Sequence, residues 1–337
     1  MAVTPQTNVT ISEFAEYLKQ VQSVAICGHV NPDGDCIGSQ LALGWALKAL
    51  GKDVTVLLAK PEPVELGLRF LPGTEDLIPA ADYNGTPDAF VATDVPIPSR
   101  LGDADAVRER ACVRFTIDHH AADSVMAEYN YVDPDAPAAG MLVWDLIRAL
   151  GVEPTPEMAT CTYVALMTDT GRFQYQNATA KAFRYGMDMI EAGANPAVCS
   201  EHVYQSRRLE SLDLERIMLG HLTLAKDKSW ALSYLKQEDF DEAGAAKADA
   251  EPLIDVIRAI HGVKVACILR DSSGHVRGSL RAKGHDIDVS ELARFIGGGG
   301  HKAAAGFTFE GTIDEACEAL PGYLTQLTQG TFDGHKG

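Results

Sequence analysis

The chain reads as an α/β protein, with an N-terminal domain built on a largely parallel sheet and a smaller C-terminal α/β domain. Three observations predict this. Apolar, β-branched runs alternate with helical patterns from Val21 to Ala192, as in a sheet covered on both faces. A second series of strand and helix patterns starts at about Ser229. The length of 337 residues, 46% of them hydrophobic and 23% charged, is enough for two cores of ordinary size.

Taken in order, Thr10-Ile-Ser-Glu13 resembles a capping box that opens a helix over Ser12 to Lys19. Val21 to Cys27 reads as a strand and Ile37 to Leu50 as a helix. Strands are predicted at Val54 to Ala59, Asp88 to Thr93 and Cys112 to Ile117. Helical patterns follow at Ala138 to Leu150, Pro156 to Met167 and Thr179 to Ala192. The segment Asn195 to Ala225 reads as mostly helical. This divides the chain into a first domain over 11–195, a helical linker over 196–228 and a second domain over 229–330. In the second domain, strands are expected at Trp230 to Leu235, Val263 to Arg270 and His275 to Arg281. Helices are expected there at Glu251 to Ile260, Val289 to Phe295 and Ile313 to Gln329.

Composition excludes several classes. No apolar run reaches transmembrane length, since the best, Ile37 to Leu50, is interrupted by Gln40 and Lys48. Met1 to Thr10 lacks the basic stretch and apolar core of a signal peptide. Seven scattered cysteines with no CxxC pair predict reduced, mostly buried thiols in a cytoplasmic protein. Asp plus Glu is 47 against 29 Lys plus Arg, a net charge of −18. A protein that grips long nucleic acid needs a broad basic surface. A polyanionic substrate here is expected to be small and held by a few cations at one spot.

Four short motifs carry ligand chemistry. Gly28-His-Val-Asn-Pro-Asp-Gly-Asp-Cys-Ile-Gly-Ser39 follows a strand and precedes a helix, at the carboxyl sheet edge where ligands bind. His29, Asp33 and Asp35 lie there within seven residues, a mixed N/O donor set suited to a divalent cation. The competing reading is a polar turn with a helix cap. Asp94 closes the apolar strand Phe90-Val-Ala-Thr-Asp94. Asp118-His119-His120 closes another, where a core histidine pair is the bland alternative. Asp169-Thr-Gly171 ends an apolar helix. An Asp in a last turn opposes the helix dipole, which favours a functional use over a simple Gly cap. Four carboxylates and two imidazoles exceed what one cation requires, and two cations sharing a bridging carboxylate account for the number. Oxygen-rich ligation with some His suits Mn²⁺, with Mg²⁺ or Co²⁺ as substitutes.

In the second domain, Arg281 and Lys283 alternate along a strand. Gly297-Gly-Gly-Gly-His301-Lys-Ala-Ala-Ala-Gly306 follows. Its glycines would let backbone amides approach an anion, and a small-residue helix beginning near His301 would add its own amides.

His29-x-Asn-Pro-Asp33-x-Asp35, Asp94, Asp118-His-His120 and Asp169-Thr-Gly171 together resemble motifs one to four of the DHH phosphoesterase family. Gly297 to Phe307 resembles the glycine-rich signature of the DHH-associated domain. The resemblance spans about Ile11 to Thr328. Length and domain order are closest to bacterial members that hydrolyse short oligoribonucleotides and 3′-phosphoadenosine 5′-phosphate (pAp). Some relatives also cleave cyclic di-AMP or pApA. The resemblance implies that His29, Asp33 and Asp94 hold one metal, and that Asp35, Asp94, His119 and Asp169 hold the other. It further implies that Asp118 orients His119, that His120 acts on the scissile phosphate, and that Arg281, Lys283, Gly299, Gly300 and His301 bind the substrate's far end. Many relatives have Ser between the two cations where this chain has Ala282.

The expected partners are short RNA or a small nucleotide and a second copy of the chain, not long nucleic acid or a membrane. Three rival readings are weighed. The glycine-rich signature argues against a pyrophosphatase of the same superfamily. A processive exonuclease would need an added nucleic-acid-binding fold. A non-enzymatic nucleotide sensor or RNA-binding module would not need every metal ligand.

Overall fold

The computed structural model describes residues 6–122, 125–272, 274–284 and 286–334. The chain forms two compact units divided between Ser206 and Arg207. In the first, α1 (Ile11–Lys19) starts at the expected capping box of Thr10 and Glu13. There follow β1 (Ser23–Cys27), α2 (Gly34–Ala49), β2 (Asp53–Leu58), β3 (Ile78–Pro79), β4 (Ala89–Thr93), α3 (Asp105–Arg110), β5 (Val113–Asp118) and β6 (Tyr129–Val132). Four helices complete it: α4 (Ala139–Ala149), α5 (Pro156–Asp169), α6 (Ala180–Glu191) and α7 (Pro196–Tyr204).

The six strands pair in parallel in the order β3-β2-β1-β4-β5-β6. Alternate residues leave opposite faces of a strand. Val24 and Ile26 of β1 therefore join one core with α1, α2, α4 and α5, while Ala25 and Cys27 join a second with Leu101 and Val107. Helix α2 is buried on almost every side, as a helix apolar all round must be. It packs on α5 at Gly38, where an added Cβ would lie 2.3 Å from the Cys161 carbonyl oxygen. The connections run outward in both directions from β1 and β4, so the crevice at their carboxyl ends is the topological switch point where open α/β sheets bind ligands.

The second unit holds α8 (Leu209–Gly220), β7 (Thr223–Leu224), β8 (Trp230–Leu235), α9 (Gln237–Ala243), α10 (Leu253–Arg258), β9 (Val265–Ser272), β10 (His275–Ala282), α11 (Val289–Ile296), β11 (Gly299–His301), β12 (Ala304–Phe309) and α12 (Ile313–Gln329). Its sheet runs β11-β12-β10-β9-β8-β7, with only the β8–β9 pair parallel. Residues of α11 and α12 cover one face, and residues of α8, α9 and α10 the other. The helices of 195–225 belong to different units: α7 packs on α5, and α8 packs on α9 and β8.

The small-residue helix expected to begin near His301 does not form. The segment from Gly297 is a β-hairpin, and no helix begins at His301. Gly297 instead caps the carboxyl end of α11 in a left-handed conformation, φ 111°. A Cβ on Gly298 would lie 2.0 Å from the Gly306 carbonyl oxygen. At Gly298 and Gly300 two backbones touch, whereas nothing stands within 4 Å of a Cβ built on Gly299.

None of the seven cysteines is disulfide-bonded, and five are buried. Among the described residues no helix is long and apolar enough to cross a membrane.

Candidate metal centre

The switch-point crevice collects all six residues singled out as ligands. His29 follows β1, Asp33 caps α2 and Asp35 lies in that helix's first turn. Asp94 follows β4, His119 follows β5 and Asp169 ends α5. His29 Nε2 lies 3.3 Å from Asp94 Oδ2 and 3.8 Å from Asp33 Oδ1. His119 Nε2 lies 3.3 Å from Asp94 Oδ1, 3.3 Å from Asp169 Oδ2 and 3.6 Å from Asp35 Oδ2. Asp94 therefore turns one oxygen toward each imidazole.

The rings are held for ligation. His29 Nδ1 donates to the Val30 carbonyl (2.8 Å) and His119 Nδ1 to the Ala136 carbonyl (3.1 Å). Each ring thus presents the Nε2 lone pair to the carboxylates, the arrangement that a backbone acceptor imposes on metal-binding histidines. Asp94 Oδ1 and Asp118 Oδ2 are buried with no hydrogen bond among the described residues. Lone pairs of nitrogen and oxygen converging in a buried crevice need positive charge between them. These residues fit a cation, and the cluster of Asp35, His119 and Asp169 and that of His29, Cys36 and Asp94 each bring ligand atoms within 4.8 Å of one another. Protons are the other source of that charge. Burial opposes a charged His29, but the carboxylates of Asp94 and Asp33 outweigh it and raise its pKa to about 9. Burial, reinforced by the negative charge of Asp94, pushes Asp35 up to about 7 and Asp169 well above the carboxylate range, the latter helped chiefly by Asp35. Asp94 alone is lowered, because His119 and His29 overcome its burial.

Two of these carboxylates also have structural work. Asp33 Oδ1 accepts from the Cys36 amide (3.0 Å) as the cap of α2. Asp35 accepts from the Ala139 amide (2.6 Å), the Gly140 amide (2.9 Å) and the Ser39 hydroxyl (2.9 Å). It stands in for the missing side-chain cap of α4, whose N-cap residue is Ala138. The helix-cap reading of this loop and the ligand reading are both present in the same residues.

One expected contact is different. Asp118 does not reach the His119 ring, which is taken by Ala136. Its Oδ1 accepts from the amides of His119 (2.8 Å) and His120 (3.2 Å) and from His120 Nδ1 (2.9 Å). The chain turns at the strand end, so Asp118 orients the second histidine rather than the first. His120 Nδ1 is also 3.4 Å from Asp94 Oδ1.

Sequence reasoning missed several supports. Asp94 has φ 57°, a left-handed conformation that Asp tolerates better than most residues. Asn177 donates to the Asp169 carbonyl (3.0 Å) and the Pro137 carbonyl (3.2 Å), tying the end of α5 to the loop before α4. Ser39 and Asn177 stand one turn and eight residues from acidic ligands, and polar residues so close to buried acids were the available signal.

In the second unit, register aligns Arg281 of β10 with Ala304 of β12, and Ala304 with His301 of β11. The side chain of His301 lies outside the described residues. Arg281 Nη1 donates to the Leu280 carbonyl (3.1 Å), and Lys283 Nζ to the Ile260 carbonyl (3.1 Å). Ala282 points into the core beneath the sheet.

A parallel-sheet edge that gathers acids and histidines from four chain segments, followed by a glycine-hairpin domain, defines a class. Residues 23–166 match the DHH family, N-terminal domain, and residues 227–326 match the DHHA1 domain. The chain belongs to the DHH family. It is 33% identical to the bifunctional oligoribonuclease and PAP phosphatase NrnA of Thermus thermophilus, over 94% of each chain. Its identity to the protein of the same name from Bacillus subtilis is 23%, over 88% of this chain and 92% of that one. An exopolyphosphatase-related protein of Bacteroides fragilis superposes with a TM-score of 0.88 at 26% identity, covering 95% of this chain and 97% of that one. The Mn²⁺ complex of RecJ from Thermus thermophilus shares the fold, with a TM-score of 0.55 at 17% identity over 98% of this chain and 56% of that one.

Proposed function

We propose that this chain is a metal-dependent phosphoesterase that hydrolyses short oligoribonucleotides and pAp to nucleoside monophosphates. The observation that carries the reading is Asp94, whose two oxygens each lie 3.3 Å from a different imidazole Nε2. Two divalent cations fit that arrangement, one among His29, Asp33 and Asp94, the other among Asp35, Asp94, His119 and Asp169. The donor set favours Mn²⁺. Such cations acidify water and offset charge on phosphoryl oxygens. The chain's own residues orient and move protons. Asp118 accepts from His120 Nδ1, so the neutral ring carries its lone pair at Nε2. When protonated, that ring donates to a phosphoryl oxygen or to the departing hydroxyl. In the second unit, Arg281, Lys283 and the Gly299-Gly300-His301 strand bind the terminal phosphate of a short substrate. The relatives named as oligoribonuclease and PAP phosphatase support this substrate class, and the free thiols support a cytoplasmic setting.

The test is product analysis on pAp, pApA, five-nucleotide RNA, a long RNA and cyclic di-AMP, with chelated protein and with Mn²⁺ restored. Release of mononucleotides from pAp and the short RNA, only with metal, is expected. Metal-loaded protein that binds these substrates without turning any over would replace the enzyme by a binding module.

A further inference from the structure

Helix α6 carries an apolar stripe that is largely exposed, with the Phe173 ring against only part of Phe183. Phe183, Met187 and Ile190 are 55%, 52% and 43% exposed. At spacing i, i+4, i+7 they share one face. The buried residues Ala182, Gly186 and Met189 lie on another face, and α6 packs against α5.

The charges of α6 are arranged in an unusual order. Lys181 and Arg184 stand in its first half, Asp188 and Glu191 in its second. A helix dipole favours the opposite order, with acids at the start and bases at the end. Asp188 is engaged by Arg148 at 3.3 Å. Among the described residues no ion pair reaches Arg184 or Glu191. The order is therefore unfavourable within the helix; Arg148 offsets Asp188 and Asp145 acts on Lys181, which leaves Arg184 and Glu191 without an ion pair among the described residues.

We propose that α6 is the centre of a two-fold interface with a second copy of this chain, the two α6 helices packing antiparallel. Such a pairing places Met187 near the axis and Phe183 of one copy against Ile190 of the other. It also brings Arg184 of each copy to Glu191 of its mate, and sets the two helix dipoles head to tail. One symmetry operation thus covers the stripe and resolves the reversed charge order, because an isologous patch must complement itself. An unrelated apolar helix would cover the stripe but would match both charged halves only by coincidence. A single helix pair gives a small interface, at or below about 1,000 Å², so association is expected in the micromolar range. The inference does not depend on the proposed activity.

The experiment is sedimentation velocity on the full chain across about 1 to 100 µM, a range that spans micromolar dissociation constants. A concentration-dependent shift from monomer to dimer is expected. Met187→Glu should weaken it by about tenfold or more, and Arg184→Glu should weaken it as well. The double exchange Arg184→Glu with Glu191→Arg should recover the dimer to within about twofold. Unchanged circular dichroism would establish that each variant is folded. A chain that stays monomeric throughout, or a dimer indifferent to Met187→Glu, overturns the interface. Failure of the double exchange to recover what Arg184→Glu loses overturns the antiparallel pairing.

Discussion

His119 and His120 are neighbours with different surroundings, and that difference supports the different roles proposed for them. His119 aims Nε2 at three carboxylates, while His120 is held through Nδ1 by Asp118 at the edge of the cluster. His120→Ala should therefore leave the metal content of purified protein unchanged and lower turnover by about 10²-fold or more, the usual range for a general acid. Full activity in that variant would make His120 a packing residue. Protonation within the cluster leads to a second expectation. The folded-state pKa of His29, about 9, lies above its ordinary 6.5, and that of Asp35, about 7, lies above its ordinary 3.8. Groups raised on folding stabilise fully below their unfolded values and lose that contribution as pH rises through the folded ones. Chelated protein should thus lose stability from about pH 4 to about pH 9, and added Mn²⁺, which displaces those protons, should raise Tm more at the upper end. Melting curves with and without Mn²⁺ over that window decide it. A gain that shrinks as pH rises would show that cations and protons do not compete here.

Elements show why some ligands cost more to replace than others. Asp35 ties the first turn of α2 to the first two amides of α4, whereas among the described residues no backbone amide donates to Asp169. Asn in place of Asp35 turns an amide group toward a buried N–H, and an unsatisfied buried donor costs about 1–3 kcal/mol. Asp35→Asn should then lower Tm even in chelator, and Asp169→Asn should do so much less while also weakening metal binding. Equal losses would mean that α4 is held in place by other contacts. The same local logic explains what could be read in advance. Long runs such as Ala89–Thr93 and Pro156–Asp169 state their own periodicity, and a ligand at the end of a parallel strand announces its position. β3 and β6 are two and four residues long, and only their pairing to β2 and β5 makes them strands. The glycines after α11 suggest a loop leading into a helix, whereas they form a hairpin whose backbones nearly touch at Gly298 and Gly300 and leave Gly299 open. The direction of the Asp118 side chain depends on a turn at the strand end, which residue order alone does not encode.

At the scale of the whole molecule, no core cluster spans the division at Ser206: two belong wholly to the first unit and two to the second. The candidate metal ligands all stand in the first unit, and the candidate phosphate-binding cations in the second. Bond cleavage and substrate selection are therefore expected to be separable by mutation. Arg281 is partly buried and paired in register with Ala304, a residue too small to cover it. A charge-assisted contact from its guanidinium to a terminal phosphate is worth about 1.5–3 kcal/mol. Arg281→Ala should raise KM for a short 5′-phosphorylated substrate by about tenfold or more. Bis-p-nitrophenyl phosphate has no distant phosphate to hold, so its turnover should change little. Metal content should stay the same, because the candidate metal ligands all lie in the first unit. Steady-state kinetics on both substrates, with metal analysis of the same preparation, separate the possibilities. Equal losses on both substrates would place Arg281 in support of the fold or the metal centre, and the division of labour between the units would be wrong.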